Sequence, residues 1–130
     1  MEKMYEINKL FTIVDKDVKS GIKFPSVGSS PTSIDIYSPQ SIILKKDCFS
    51  NIRSGFIINI PENHIGIISP AGKIAIQNNL IFPAQIIHPG YNKELTLNFC
   101  QHSVPEVYID LNDHIAQITI IPCLSFCGQL

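Results

Sequence analysis

Short apolar segments separated by turn residues recur along most of this chain. In residues 94–99 and 106–111 apolar and polar positions alternate, which is typical of a strand with one buried and one solvated face. From residue 34 onward, no helical spacing of apolar residues is sustained over three turns. The pattern therefore predicts an all-β fold of about nine short strands, arranged as a sandwich, jelly roll or small barrel. The predicted strands are residues 34–37, 41–44, 55–60, 65–68, 74–76, 84–87, 94–99, 106–111 and 115–121.

The first 23 residues differ in kind from the rest, because they carry nine of the 21 charged residues. Residues 9–14 are a strand candidate, and residues 24–33 are rich in Pro, Gly and Ser, which predicts a surface loop. We predict three parts. They are a polar leader over residues 1–23 with one edge strand, a β-barrel domain over residues 24–122 and a short tail over residues 123–130.

Composition and charge narrow the class of protein. A chain of 130 residues, 45% of them hydrophobic, can bury one compact core. A formal net charge of −1 gives no electrostatic basis for binding nucleic acid or an anionic membrane surface. The apolar runs are far shorter than the roughly 20 residues that cross a bilayer, and the N-terminus lacks the features of a secretory signal. We therefore expect an intracellular protein without membrane insertion.

The four cysteines are expected to be reduced thiols, because no export signal places the chain in an oxidising compartment. An alternative is a zinc site whose ligands would be Cys100, His102, Cys123 and Cys127. The spacing argues against it, because structural zinc sites pair their ligands on tight turns and Cys100 lies at a predicted strand end. We expect no metal site.

Several segments resemble the trimeric deoxyuridine triphosphatases (dUTPases). Residues 55–99 are similar to the core of that family, residues 34–38 to its first motif and residues 113–117 to its fourth. From Pro70 through Tyr91 the family spacing fits without an insertion or deletion, and it continues to Gln117. The resemblance implies the family's distorted jelly-roll β-barrel over residues 24–122, normally assembled as a homotrimer.

The family's second motif, Pro-Arg-Ser-Gly, corresponds to Pro70-Ala71-Gly72-Lys73. In the family, the arginine and serine of this motif grip the triphosphate. Alanine therefore stands in place of the guanidinium fork, and glycine stands in place of the hydroxyl. Lys73 adds a positive charge, but a flexible ammonium does not replace a bidentate donor.

The third and fourth motifs are partly kept. His88 stands at the position of the aspartate that deprotonates the attacking water, and a histidine can serve as a base near neutral pH. Tyr91 is retained, and in the family this ring lies against the deoxyribose; the following arginine is Asn92. The fourth motif keeps Gln117, but its arginine is His114.

The family's glycine-rich C-terminal arm, with its arginine and phenylalanine, has no counterpart in residues 123–130. Without the arm we expect water exclusion and phosphate neutralisation to be weakened, and those terms dominate phosphoryl chemistry. The resemblance therefore implies a dUTPase scaffold without hydrolysis. We expect no catalytic residue, although His88 stands at the family's base position.

Each site residue also has a structural interpretation. Asp35 is either a remnant of a metal or water network or a loop anchor, and His88 can sit on a hairpin shoulder without chemistry. Tyr91 either lines a pocket or packs at a hairpin base, and Gln117 fits a structural role near a subunit interface. The vestigial substrate-binding set implied by the resemblance is Tyr91, Asp35, Gln117 and Lys73.

Among proteins of this scaffold without the arm, the early-region-four first-frame proteins of adenoviruses are similar in length. Those proteins are adaptors that bind PDZ-domain scaffold proteins through their C-terminus, and Leu130 is an apolar C-terminal residue of the kind such domains bind. The tentative partner-binding residues are Gly128, Gln129 and Leu130. Gly128 stands where PDZ ligands prefer Ser, Thr or a bulky apolar residue, which argues against this mode.

Our main hypothesis is an inactive viral dUTPase-fold protein that acts without a cofactor as an adaptor for host proteins, in the host cytoplasm or nucleus. A homotrimer is favoured, and a monomer or dimer stays open because the swapping arm is absent. The alternative is a divergent dUTP diphosphatase that uses Mg²⁺ to hydrolyse dUTP to dUMP and pyrophosphate. A third hypothesis is a nucleotide-binding sensor without hydrolysis.

Overall fold

A computed structural model describes residues 5–14 and 21–129. Within these ranges strands dominate and helix is confined to two short elements, so the all-β prediction is confirmed. The elements in chain order are a 3₁₀ helix (Ile7–Lys9), β1 (Phe11–Ile13), β2 (Ser26–Val27), β3 (Ile34–Tyr37), β4 (Ile42–Lys45), β5 (Ser50–Arg53), β6 (Phe56–Ile58), β7 (His64–Pro70), α1 (Lys73–Gln77), β8 (Gln85–Ile87), β9 (Thr96–Phe99), β10 (Glu106–Ile109) and β11 (His114–Pro122).

The described strands form four antiparallel sheets around one core rather than one continuous closed barrel. The largest sheet has the order β2-β3-β11-β7-β8, and β1 pairs with β6, β4 with β10 and β5 with β9. Alternation along these strands turns Leu97, Phe99 and Ile118 inward, where each is 0% exposed. The core is thus assembled from the inner faces of all the sheets.

The five-stranded sheet positions the residues that carry the family motifs. Gln117 of β11 lies opposite Asp35 on β3 and opposite Ser69 on β7, so these three polar residues form one row across the sheet. The β11–β3 register shifts between His114 and Ala116, which marks a bulge. A bulge re-aims the side chain beside it, and here it affects His114.

One predicted strand is wrong, because residues 74–76 lie in helix α1. The chain leaves β7 through Gly72 at φ 89, and the amide of Ile76 then donates to the Gly72 carbonyl at 3.0 Å. Asn78 closes the last turn through its backbone and side-chain nitrogens, which both donate to Ile74 O. Three consecutive apolar residues are too few to separate a strand from a short helix by their periodicity.

Two strands were missed. β2 lies inside the segment predicted as a loop, and it pairs Ser26 with Asp35. β5 has the sequence Ser-Asn-Ile-Arg, whose single buried apolar residue, Ile52, gives no readable alternation. Both strands are formed by pairing with a neighbour and not by their own pattern, so tertiary context decides them.

The parts of the chain outside the central domain are described only in part. β1 pairs with β6, with Phe11 opposite Ile58, and the tail contacts the β6–β7 turn where the Cys123 amide donates to Asn63 O at 2.8 Å. The boundaries at residues 23 and 122 stay predictions. In the described ranges, no helix is both long enough and apolar enough to span a membrane.

Candidate functional site

The loop after β7 carries the counterpart of the phosphate-gripping motif. The amide of Ala71 donates to Ile115 O at 3.1 Å, which fixes the loop beside β11. Gly72 then adopts φ 89, and a Cβ at this position would overlap the backbone carbonyl of His114 and lie 2.9 Å from its Cγ. The space that a serine side chain would need is therefore filled by His114.

His114 connects this loop to the first motif. Its Nε2 lies 3.1 Å from Asp35 Oδ1 and 3.1 Å from the carbonyl of Ala116. The two side chains are 30% and 19% exposed, so the contact is only partly open to solvent. The contact is an ion pair only when His114 is protonated. In either state Asp35, the carboxylate of the first motif, lies against a side chain of its own chain.

Tyr37 extends the cluster on the same strand face as Asp35, because the two residues are two positions apart on β3. Its ring centroid lies 5.6 Å from that of His114, and its hydroxyl is 2.6 Å from Ser26 Oγ. The ammonium of Lys23 lies 4.2 Å from the centroid of the same ring, a cation–π arrangement. Sequence reasoning missed Tyr37, Ser26 and Lys23 as members of the site, although the period of two from Asp35 pointed to Tyr37.

Gln117 is half-buried on the outer face and not in the core. Its Nε2 donates to Ser69 Oγ at 3.2 Å, and it lies opposite Asp35 in the β11–β3 register. Lys73 is exposed at the start of α1, directly after Gly72. Asp35, Gln117 and Lys73 thus belong to one region, which we call the phosphate-loop half.

His88 and Tyr91 lie together on a second element, the turn after β8. The amide of Tyr91 donates to His88 O at 3.2 Å, and Gly90 has φ 84, so Pro89-Gly90 occupies the centre of a turn of the type II class. Both side chains are exposed, Tyr91 by 43%. We call this element the base turn. It presents an imidazole and an aromatic ring to solvent side by side.

One copy of the chain keeps the two halves apart. β3 and β8 are separated by three strand spacings, about 14 Å. His88 follows β8 near the level of Ile65, four residues or about 13 Å along β7 from the Asp35–Gln117–Ser69 row. The distance between Asp35 and His88 is therefore on the order of 20 Å. A site that uses both needs a second copy of the chain.

In the described residues the four ligands of the zinc alternative are not brought together, and the expectation of no metal site stays a prediction. No group of three or more His, Cys, Asp or Glu side chains could hold a metal ion there. Cys100 and His102 are in contact, but Cys123 and Cys127 are exposed in the tail near Asn63. None of the four cysteines, all of which the structure describes, takes part in a disulfide.

The predicted partner-binding tail is described up to Gln129. Gly128 and Gln129 are exposed and lie outside the strands and helices, whereas Leu130 lies outside the described residues. The predicted capture of its carboxylate by a PDZ domain therefore stays a prediction.

Three comparisons place the chain among known proteins. A family model described as dUTPase matches residues 13–129. The deoxyuridine 5'-triphosphate nucleotidohydrolase of Encephalitozoon cuniculi is 24% identical over 91 residues, which cover 70% of this chain and 63% of that protein. The enzyme of the same name from Tropheryma whipplei strain Twist is 25% identical over 91 residues, covering 68% and 62%. The match thus spans less than two thirds of these relatives' length.

Solved structures show the same fold. A mutant dUTPase from phage phi11 of S. aureus superposes with a TM-score of 0.77 at 15% identity, covering 92% of this chain and 94% of that one. A mutant dUTPase of Staphylococcus bacteriophage 80alpha with dUpNHpp gives 0.77 at 16% identity, covering 92% and 93%. The predicted dUTPase-like fold is confirmed, while the likeness to the adenovirus proteins stays a prediction. Since the family model matches nearly the whole sequence, the chain belongs to the dUTPase family.

Proposed function

We propose that this chain binds deoxyuridine nucleotides and hydrolyses dUTP to dUMP and pyrophosphate, with His88 as the base. The observation that carries the proposal is the base turn, which presents His88 and Tyr91 three residues apart in a chain whose family match covers residues 13–129. The curated relatives are named as dUTP nucleotidohydrolases, which favours the enzyme over the inactive adaptor that the site residues alone led us to expect.

The proposed reaction uses the imidazole of His88 to take a proton from a water molecule. The water oxygen attacks the α-phosphorus, the bond to the bridging oxygen of the β-phosphate breaks, and pyrophosphate leaves. The exposed ring of Tyr91 lies three residues from His88 on the same turn, where it can pack against the sugar. An imidazole suits this role because its charge changes near neutral pH.

The proposed site is shared between copies of the chain, since one copy keeps the two halves apart. The outer face of the five-stranded sheet offers the surface for assembly. Directly paired residues place Ile67 beside Ile86 and Ile65 beside Ile121, which makes one continuous apolar patch next to the polar row. Ile86 is 51% and Ile121 38% exposed, so the patch is uncovered in one copy. We propose a homotrimer built on this face, as is general for dUTPases.

The residues of the phosphate-loop half do not suit a magnesium ion held by the protein. Mg²⁺ prefers carboxylate and other oxygen ligands, and Asp35 supplies the carboxylate of this region. The carboxylate of Asp35 is engaged by His114 at 3.1 Å. We therefore assign no step to a protein-bound metal, although one of the related phage structures concerns a structural Mg(II) ion.

We propose that turnover is slow. The guanidinium and hydroxyl donors of the second motif are replaced by Ala71 and Gly72, and loss of one charge-stabilising donor costs about 10²–10³ in kcat in other enzymes. Lys73 supplies a cation directly after the loop.

A second candidate is a protein that binds a host partner and does not hydrolyse dUTP. The closure of Gly72 by His114 favours it, because the phosphate loop is filled by the chain itself. One phage structure comes from work in which phage dUTPases control the transfer of virulence genes by a G protein-like mechanism, so dUTPase folds can serve regulation. The predicted partner is a host protein, and a PDZ domain is one such class.

Pyrophosphate release from dUTP with magnesium separates the candidates. We expect slow release that His88→Ala abolishes and that His64→Asn, a histidine bonded to Glu62 O on another turn, leaves unchanged. If the unaltered chain releases none, titration with the non-hydrolysable analogue dUpNHpp decides the rest. Binding then identifies a nucleotide sensor, and the absence of binding supports the partner-binding protein.

A further inference from the structure

A second group of reactive side chains lies away from both halves of the nucleotide site. Cys100 Sγ is 3.7 Å from His102 Nε2, and His102 Nδ1 is 2.6 Å from Asp47 Oδ1. A thiol, an imidazole and a carboxylate therefore stand in one line of contacts. That order, of a nucleophile, a base and a group that orients the base, is the arrangement used by enzymes with cysteine nucleophiles.

The sequence builds this line from the end of β9. Cys100 and His102 are two residues apart in an extended segment, so both point to the same side, while Gln101 between them points inward and is 0% exposed. The Gln101 amide nitrogen donates to Leu44 O at 3.2 Å and Val104 O at 2.7 Å, and its oxygen accepts from Ser103 N at 2.9 Å and Val104 N at 3.0 Å. This buried amide fixes the backbone that carries His102.

The position of Asp47 is fixed by its backbone. It lies after β4 with φ 63, a left-handed conformation that non-glycine residues rarely adopt, and its amide donates to Gln101 O at 2.9 Å. Such backbone positions persist only when the surrounding structure enforces them. The carboxylate reaches Nδ1 while the sulfur faces Nε2, so the ring bridges the two groups. The three side chains thus form a relay and not a shared metal site.

We propose that Cys100 is a peroxide-reactive thiol, that His102 is its base and that Asp47 is a positioning residue for His102. The thiol proton passes to Nε2 and the sulfur attacks one oxygen of a hydroperoxide, whose O–O bond breaks. The departing oxygen takes the proton back. Sulfur is oxidised to a sulfenic acid, and hydrogen peroxide is reduced to water.

The burial of Cys100 selects the size of the reagent. The residue is 2% exposed, and the sulfur–imidazole contact is only partly buried, so the way to the sulfur runs along the half-exposed ring of His102. Hydrogen peroxide is little larger than water, and bulky disulfides or alkylating agents are excluded. The other cysteines, Cys48, Cys123 and Cys127, are exposed.

If burial alone set the rate of oxidation, Cys100 would be the slowest of the four thiols. The proposal makes it the faster one when it is compared with an exposed thiol. The full chain, reduced and in chelator-containing buffer, is treated with hydrogen peroxide and quenched with catalase. It is then unfolded, and the remaining thiols are labelled with N-ethylmaleimide, so that peptide mass spectrometry gives the oxidation rate of each cysteine. We expect Cys100 to be oxidised faster than Cys123, which serves as the internal reference.

Two sets of variants test the relay. His102→Ala should lower the ratio of the Cys100 rate to the Cys123 rate about tenfold or more, and free imidazole should restore it. His64→Asn is the matched control and should leave the ratio unchanged. Asp47→Ala should lower the ratio, and Asp47→Asn should keep more of it, because an amide oxygen still accepts from Nδ1.

The opposite outcomes would overturn the proposal. If Cys100 is the slowest of the four thiols, burial governs its chemistry. If His102→Ala keeps the circular dichroism spectrum of the unaltered chain and raises the Cys100 rate, the ring is a cover and not a base. If this variant unfolds, the Asp47→Ala and Asp47→Asn pair decides the test, and equal ratios for the two contradict the relay. The relay is also contradicted if imidazole does not restore the Cys100 rate in His102→Ala and if Asp47→Ala and Asp47→Asn give the same ratio of the Cys100 rate to the Cys123 rate.

Discussion

At the scale of single residues, two substitutions in the family motifs are coupled in space. By the motif resemblance, Gly72 corresponds to a serine of the family and His114 to an arginine. The backbone and ring of His114 occupy the position where a side chain at residue 72 would begin. Restoring the hydroxyl alone therefore does not restore a phosphate grip. The arginine-to-histidine change and the loss of the serine side chain are best understood as one rearrangement of this loop.

This coupling predicts the cost of Gly72→Ser. We expect it to lower the free energy of unfolding by about 2–4 kcal/mol more than Gly55→Ser, because both glycines have a similar positive φ but only Gly72 faces a neighbouring backbone. Urea denaturation measures the difference. Equal costs for the two variants would mean that the clash with His114 is relieved at no expense, which would contradict the packing described here.

Tyr108 gives the residue-scale prediction for pH. Its hydroxyl donates to Glu106 Oε2 at 2.7 Å, and this hydrogen bond together with the negative charge of Glu106 raises the pKa of Tyr108 above 10.0. Because the folded-state pKa is raised, the contact stabilises the fold below the unfolded pKa, and this contribution is lost as pH rises through the folded value.

We therefore expect Glu106→Gln to lower the pKa of Tyr108 toward its ordinary value. Titration of the tyrosine ring signals by NMR measures the change. Glu94→Gln is the control, since Glu94 bonds to Arg53 and to the amide of Gly55. An unchanged Tyr108 titration in Glu106→Gln would show that the carboxylate does not act on the phenol.

At the scale of elements, the pattern of apolar and polar residues predicted the strands that pair with a neighbouring strand on each side, and those whose inner face is deeply buried. β3 was predicted with its observed bounds, and β11 to within one residue at each end. β5 and α1 were not predicted, because their conformation depends on neighbouring elements. β5 pairs with β9, and α1 buries Ala75, which is 1% exposed.

In the candidate site, too, some residues are predicted from the sequence, and others are brought together only by the fold. Motif spacing along the sequence predicts His88, Tyr91, Asp35 and Gln117 as site residues, and this assignment stays a prediction. The pairing of His114 with Asp35 depends on the β11 bulge, which no local pattern announces. The Cys100–His102–Asp47 relay joins residues 53 positions apart and was equally hidden, although Cys100 and His102 had been singled out for a different chemistry.

At the scale of the whole molecule, the outer face of the five-stranded sheet combines an apolar patch with the polar row of the phosphate-loop half. A monomer would leave Ile86 and Ile121 in water beside partly buried Ile65 and Ile67. Continuous apolar surface of this kind marks an interface in soluble proteins. Assembly on this face would place a second copy next to the polar row, where the base turn of one copy can approach the phosphate loop of another.

In the homotrimer proposed above, assembly and nucleotide binding would be inseparable. Ile67→Lys places a charge in the middle of the patch, and we expect it to convert the trimer to monomer in light scattering and to abolish dUpNHpp binding in calorimetry. Ile43→Lys is the matched control, because Ile43 is 56% exposed on β4, outside this sheet. If Ile67→Lys stays trimeric, the interface lies on another face. If it becomes monomeric and still binds the nucleotide, one copy holds a complete site, and the separation of the two halves by about 20 Å would have to close within a single chain.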